Sequence, residues 1–285
     1  MTHLAQPGIG WYVAASAAAL FAIFYPIVLA IVLSKRLRVD AHYAGYGALI
    51  FFLFQVISRI PLVQVVGGAL APTLKSSQLA ALLWLVALAL TAGLFEEVGR
   101  YIGYRWLMRR EQKTWGKAVM YGVGHGGLES ILLVGLSLLG TILIGLVFTA
   151  VPLTILPASQ RAPLIQQYAA VAAQPGWYPL LGLWERLWTL PVHIGLSVVV
   201  LQVFQRGQRR WLWWAVLAHA VVDFSAVAVQ LPLSGHPLLV ALVPEALVAI
   251  FGAIALWVIR ALRPAVRSQD EAPVLPYSLT GEQPG

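Results

Sequence analysis

Acidic, basic and imidazole side chains recur within the apolar stretches of this sequence. They are Glu96, Glu97, Arg100, His125, Glu129, Glu185, Arg186, His193, His219 and Asp223. Carboxylates and imidazoles can move protons in hydrolysis, and a set of them can bind a divalent metal. A charge at the centre of a bilayer costs roughly 2.5–3.5 kcal/mol on insertion scales, so its presence points to function. The set therefore predicts a hydrolytic site inside a membrane.

The spacing and depth of these residues indicate that they meet. His219 and Asp223 are four residues apart and share a helix face. The same holds for His125 and Glu129. At about 1.5 Å per residue from the nearest basic loop, the groups lie about 12–20 Å deep on four helices. We therefore expect Glu96, His125 and His219 to converge in one cavity, opening toward the cytoplasmic half.

Two adjacent carboxylates, Glu96 and Glu97, compete for a place in this site. Neighbouring helical residues project about 100° apart, so a narrow site should use only one of them. Glu97 can pair with Arg100 at i, i+3, and Glu96 shares a face with Arg100 at i, i+4. Glycines surround His125, and small residues of this kind let a neighbouring helix approach closely.

Structural roles are the alternatives to chemistry for the individual residues. An intramembrane histidine more often links two helices than binds a metal. Glu185 and Arg186, near the outer end of their apolar stretch, fit a structural ion pair. Arg59 would satisfy a carboxylate, and Glu245 would face the external interface. The common depth of the acids and imidazoles favours function for the set as a whole.

The composition requires an apolar solvent around the chain. Of its 285 residues, 60% are hydrophobic and 11% are charged, whereas a soluble domain has roughly 25% charged residues. The sequence has no cysteine, which excludes disulfides, thiol catalysis and thiolate metal ligands. The net charge of +8 lies mostly in short loops between apolar stretches, so we expect no nucleic-acid partner.

Seven stretches are long enough to cross a bilayer, which takes about 20 residues. They run approximately over 8–33, 43–70, 79–104, 118–151, 180–204, 211–231 and 238–259. The predicted fold is all-α, a polytopic transmembrane helix bundle in a plasma membrane. The fourth stretch is overlong and contains several glycines, so eight spans are also possible.

Basic residues set the expected orientation of the bundle. Fourteen of the 19 lysines and arginines fall in or beside alternate connections of a seven-span path, and Lys75 and Arg161 fall on the other side. The positive-inside rule therefore places the N-terminus outside and the C-terminus in the cytoplasm. The Pro-rich segment 152–179 becomes an external loop, with a short helix around 162–173.

The sequence reads as one transmembrane helical domain over 1–267, with a catalytic core in about 79–231. The polar, Pro-rich segment 268–285 is predicted to be a disordered cytoplasmic tail. The core holds every acid and imidazole of the candidate site.

Three ordered motifs carry a family resemblance. They are Phe95-Glu96-Glu97-Val98-Gly99-Arg100-Tyr101, then Tyr121-Gly122-Val123-Gly124-His125-Gly126-Gly127-Leu128-Glu129, then His219-Ala220-Val221-Val222-Asp223. This order resembles the YhfC family of intramembrane metalloproteases. It is similar, more distantly, to the CAAX-processing and PrsW-like membrane protease superfamily. Arg100 follows Glu97 by three positions, where CAAX-type enzymes usually have four.

The resemblance implies roles for these residues. Glu96 would activate water, Arg100 would orient the acidic pair, and His125 would bind water or metal. His219 and Asp223 would complete the site. The stretch from Glu185 and Arg186 to His193 looks like a further YhfC-type element, so the implied metal ligands are His125, His193 and His219, with Zn²⁺ as the favoured ion. The superfamily also allows a glutamate–histidine pair to activate water without metal.

The expected function is that of an intramembrane endopeptidase acting on membrane-associated peptides or proteins. The alternatives are a proton-coupled transporter, which also uses intramembrane Glu, His and Arg, and a protease-like scaffold without activity. The lack of an internal repeat argues against the transporter. No HExxH motif and no second intramembrane Asp occur, which excludes two other intramembrane protease classes.

Overall fold

The computed structural model describes residues 4–264, and that part of the chain is helical without strands. Its α-helices are α1 Ile9–Leu37, α2 His42–Phe51, α3 Ile60–Ser76, α4 Gln78–Trp106, α5 Trp115–Glu129, α6 Leu136–Ala150, α7 Ala158–Ala172, α8 Leu180–Arg206, α9 Arg210–Ala228 and α10 Pro237–Ala261. Short π-helical segments, Phe52–Arg59 and Ser130–Gly135, join α2 to α3 and α5 to α6. The all-α prediction is confirmed.

Seven continuous helices in the described residues are long and apolar enough to cross a membrane. Two of them are composite, His42–Ser76 and Trp115–Ala150. The overlong fourth stretch is therefore one continuous helix of 36 residues, and the seven-span prediction is confirmed. The short helix expected at 162–173 is α7, which begins four residues earlier. The predicted disordered tail, 268–285, lies outside the described residues.

The fifth span, α8, is the centre of the bundle. Of its most apolar window, 72% is buried, against 17–28% in the other spans. The remaining helices keep large apolar side chains such as Leu20, Phe24 and Ile250 exposed around the outside. An apolar exterior of this kind is stable in lipid and not in water. The protein is therefore a multi-pass membrane protein.

Glycines in α5 let it cross α8 at close range. A methyl group on Gly122 would lie 2.5 Å from the Ile194 Cα atom, and one on Gly126 would lie 2.9 Å from the His193 Cβ atom. Only hydrogen fits at such distances, so these glycines allow the two backbones to approach. This crossing brings His125 on α5 beside His193 on α8.

The two ends of the bundle differ in composition. Basic loops meet at one end, where the Gln205 side chain donates to the Lys113 carbonyl at 3.3 Å. Residues 151–179 lie at the opposite end, where the Trp11 indole donates to Gln174 at 2.9 Å. We call these the basic end and the loop end. Which of them faces the cytoplasm stays a prediction.

Candidate metal centre and active site

Four helices deliver the candidate site residues to one place in the bundle. Helix α4 provides Glu96, Glu97 and Arg100; α5 provides His125 and Glu129; α8 provides Glu185, Arg186 and His193; α9 provides His219 and Asp223. The side chains of Glu97, Arg100 and His125 are fully buried, whereas the side chain of Asp223 is 40% exposed. Most of the predicted charges are therefore removed from both lipid and bulk water.

Glu97 and Arg100 form a buried ion pair. The Arg100 Nε and Nη2 atoms donate to the two carboxylate oxygens of Glu97 at 2.9 and 3.2 Å. Arg100 Nη1 also donates to the Ser197 hydroxyl at 2.6 Å and to the His193 carbonyl at 3.3 Å. The same Glu97 carboxylate lies 2.8 Å from His219 Nδ1. Glu97 thus links α4 to α9 through His219, and its partner Arg100 links α4 to α8.

Glu96 faces the imidazoles. Its Oε2 atom lies 3.0 Å from His125 Nε2 and 3.8 Å from His219 Nε2. His219 Nε2 also lies 3.7 Å from the Asp223 carboxylate. Because Nδ1 of His219 is bonded to Glu97, its Nε2 is the ring atom that faces the site. The structure therefore brings together Glu96, His125 and His219.

His193 is held by a separate set of charges. Its Nε2 atom lies 2.7 Å from Glu129, and Arg186 donates to the other oxygen of Glu129 at 2.8 Å. Arg186 also forms an ion pair with Glu185. Glu129 therefore pairs with α8 and not with His125, its partner on the same helix face. The pairing of Glu185 with Arg186 fits the structural role that the sequence allowed.

Three side chains from this set are placed to share a metal ion. One ligand atom each of Glu96, His125 and His193 lies within 4.8 Å of the others. His219 is not in this group, although its Nε2 lies beside Glu96. The Nδ1 atoms of His125 and His193 are buried and have no hydrogen-bond partner. Buried unpaired nitrogen is costly, and two imidazoles with a carboxylate are a donor set that zinc accepts, so the residues fit a metal.

A cavity of about 410 Å³ adjoins the cluster. Glu96, His193, His219 and Asp223 form part of its wall. On each span, the lining residues lie level with the imidazoles or nearer the loop end. This differs from the expectation that the cavity would open toward the predicted cytoplasmic half.

Large side chains are the physical reason why the cavity does not extend toward the basic end. Arg100, Tyr104 and Tyr121 are fully buried there. The two tyrosine rings stack at 4.7 Å between centroids, and the Tyr104 hydroxyl donates to the Ser197 carbonyl at 3.0 Å.

The sequence analysis did not indicate two of the polar residues that line the cavity, Gln55 and Thr189. Gln55 is buried in the π-helical segment Phe52–Arg59, and an amide in an apolar stretch was the one available signal. Arg59 was expected to satisfy a carboxylate. It donates instead to the Leu88 carbonyl at 2.6 Å, and its other partners are neutral side chains.

The comparisons with known proteins show the family of this chain. The profile of the YhfC intramembrane metalloprotease family matches residues 21–244. An uncharacterised membrane protein of Bacillus subtilis, YhfC, is 32% identical over 177 residues, which cover 61% of this chain and 67% of the relative. A bacterial plasma membrane location fits this relative. No solved structure matches the chain. The chain therefore belongs to the YhfC intramembrane metalloprotease family.

Proposed function

We propose that this protein is an intramembrane endopeptidase that hydrolyses peptide bonds of membrane-associated substrates with the aid of a divalent metal, Zn²⁺. One observation carries the proposal: Glu96, His125 and His193, from three helices, place ligand atoms within 4.8 Å of one another inside the membrane. Ionisable groups inside an apolar helix bundle lower its stability, and their presence there therefore indicates a functional site.

The imidazoles would hold the ion. His125 and His193 each have an unpaired ring nitrogen, and Nε2 of His219 faces the Glu96 carboxylate. These three histidines are therefore the proposed ligands. A bound divalent ion would polarise a carbonyl oxygen and lower the pKa of a bound water to about 7. Neutral imidazole nitrogen and an apolar surround suit zinc better than magnesium or calcium, which prefer oxygen ligands.

Glu96 is the proposed general base. Its carboxylate lies beside His125 and His219 and lines the cavity, so it can accept a proton from a water molecule there. Glu97 cannot take this role, because Arg100 and His219 occupy its oxygens. Asp223, the most exposed acid of the cluster, faces the same cavity and can bind the substrate backbone.

Metal analysis of the purified protein tests the metal site. Detergent-purified wild type should hold close to one equivalent of zinc, whereas His125→Ala and His219→Ala should lose most of it. His42→Ala is the matched control, since His42 is exposed at the start of α2 and far from the cluster along the chain. Equal metal content in the wild type and the two site variants would exclude the metal centre.

Peptide hydrolysis is tested by comparing membranes from cells that produce the wild type or Glu96→Gln. Mass-spectrometric profiling of protein N-termini should show new cleavage products in the wild type alone. If both membranes yield the same N-termini, the peptidase proposal is abandoned, and proton uptake into vesicles then tests the transporter alternative.

A further inference from the structure

A second cavity, the outer cavity, adjoins the cavity beside the cluster, the inner cavity, on its loop-end side. It has a volume of about 400 Å³ and shares three wall residues with the inner cavity, Leu133, Val134 and Glu185. Its other wall residues include Gln174 and Tyr178, which belong to the loop-end segment. The two cavities are therefore adjacent, and together they trace a path between that surface and the residues Glu96, His193 and His219.

Polar groups line this path along its length. Glu185 stands where the two cavities meet, with 36% of its side chain exposed, and Thr189 lies one turn deeper on α8. Ser137 and Gln230 line the outer cavity. Water remains in a space of this size when several polar partners surround it, so the path can hold hydrated groups.

A π-helical segment forms part of the wall that the two cavities share. Leu133 and Val134 belong to the π-helical segment Ser130–Gly135, which follows Glu129 directly. A π-helical turn displaces the following helix from its ordinary course, and such turns are frequent at functional sites. Gln55, which also lines the inner cavity, belongs to the other π-helical segment.

The side toward the basic end offers no comparable polar path. A cavity of about 370 Å³ there shares Val192 and Val222 with the inner cavity, but apolar side chains line it. Between the imidazoles and the basic loops, Arg100, Tyr104, Met120 and Tyr121 are all fully buried. No residue that lines the inner cavity lies nearer the basic end than His219 on α9 or His193 on α8. A hydrated route from the basic end would require these packed side chains to move.

We propose that the buried site is reached from the loop end, through a hydrated path that passes Glu185, and that this path admits an extended, polar segment of the substrate. The substrates would then be membrane proteins that are cut close to the point where their chain leaves the bilayer on the loop-end side. The substrate part rests on the proposed peptidase function, whereas the route itself does not.

Cysteine accessibility tests the route, since the chain has no cysteine of its own. Single variants Thr189→Cys and Ala226→Cys place a thiol in the inner cavity. Val227→Cys is the matched control, because Val227 is the next residue on α9 and is 47% exposed on the lipid-facing surface. Ser159→Cys and Gln208→Cys, both at exposed positions, mark the loop end and the basic end.

Sealed vesicles of each orientation are treated with a membrane-impermeant cationic methanethiosulfonate. Thr189→Cys and Ala226→Cys should react from the same side as Ser159→Cys. Val227→Cys should react on the order of 100-fold more slowly, because the reactive thiolate does not form in lipid. All variants should react fully after denaturation in detergent, which confirms that each thiol is present.

Two results would overturn the route. One is reaction of the cavity thiols from the Gln208→Cys side, and the other is no faster reaction at Ala226→Cys than at Val227→Cys. Zinc content measured on the same preparations separates the two proposals. A protein without zinc that still reacts from the loop end keeps the route and loses the metal centre.

Discussion

At the scale of single residues, the two adjacent glutamates have different surroundings. Glu96 contacts imidazoles and the cavity, whereas Glu97 is locked between Arg100 and His219. Glu96→Gln should keep the fold and lower turnover by roughly 10²–10⁴, because proton transfer is lost. Glu97→Gln should lower the free energy of unfolding by about 3–5 kcal/mol, because Arg100 loses its buried partner. Melting curves and N-terminal profiling of both variants measure the two effects.

The zinc content of Glu96→Gln distinguishes a general base from a metal ligand at this position. A base beside the ion can be replaced by glutamine with the zinc retained, whereas loss of zinc in Glu96→Gln would show that this carboxylate is a ligand. Full cleavage in Glu96→Gln with none in a stably folded Glu97→Gln would reverse the assignment.

Glu129 is expected to hold His193 in the orientation that binds metal. Its carboxylate lies 2.7 Å from His193 Nε2, and Nδ1 of that ring has no hydrogen-bond partner. Carboxylates behind a ligating histidine typically contribute 10- to 100-fold in metal affinity. Glu129→Gln should therefore weaken zinc binding by about that factor, measured by competition with a chelator. Glu111→Gln, which changes a carboxylate in the basic-end loop, is the control and should leave the affinity unchanged.

The convergence of Glu96, His125 and His219 was predictable, but many of the contacts made by the candidate residues were not. Depth along each span grouped Glu96, His125 and His219 because helix rise converts sequence distance into height. Rotation about the helix axis is set by packing, so the i, i+4 spacing of His125 and Glu129 did not show that Glu129 contacts α8. The spacing of residues along one helix does not show which residues of another helix they contact.

At the scale of helices, the crossing of α5 and α8 determines whether His125 and His193 can share an ion. Gly126→Ala would place a methyl group 2.9 Å from the His193 Cβ atom. Overpacking of this kind costs about 1–3 kcal/mol. We expect a lower melting temperature and a lower zinc content in Gly126→Ala.

Gly140→Ala is the matched control for that crossing. Gly140 also lies in a span, but a methyl group there meets no atom within 4 Å. The substitution should be neutral or raise the free energy of unfolding by up to about 1 kcal/mol, because alanine favours helix. If both alanine variants behave alike, close approach at Gly126 is not what positions His193.

Hydropathy and glycine spacing predicted the spans and the close crossing, because both follow from local composition. The π-helical segments after Phe51 and Glu129 were not predictable, since no residue type there requires them. These segments contribute Gln55, Leu133 and Val134 to the cavity walls, and the direction of the cavity was also not predicted.

At the scale of the whole molecule, the distribution of basic residues predicts which end is cytoplasmic. Fourteen lysines and arginines lie in or beside alternate connections, and Lys75 and Arg161 lie on the other side. Such an asymmetry in short loops orients most multi-pass proteins. Reporter fusions after Arg38, Lys113 and Arg209 should therefore all read as cytoplasmic, and a fusion after Ser159 should read as external.

Combined with the proposed route, this orientation places the entrance on the outer face of the membrane. A cytoplasmic reading after Ser159 would invert the bundle and place that entrance inside the cell, and it would also require substrates that are cut at the inner face.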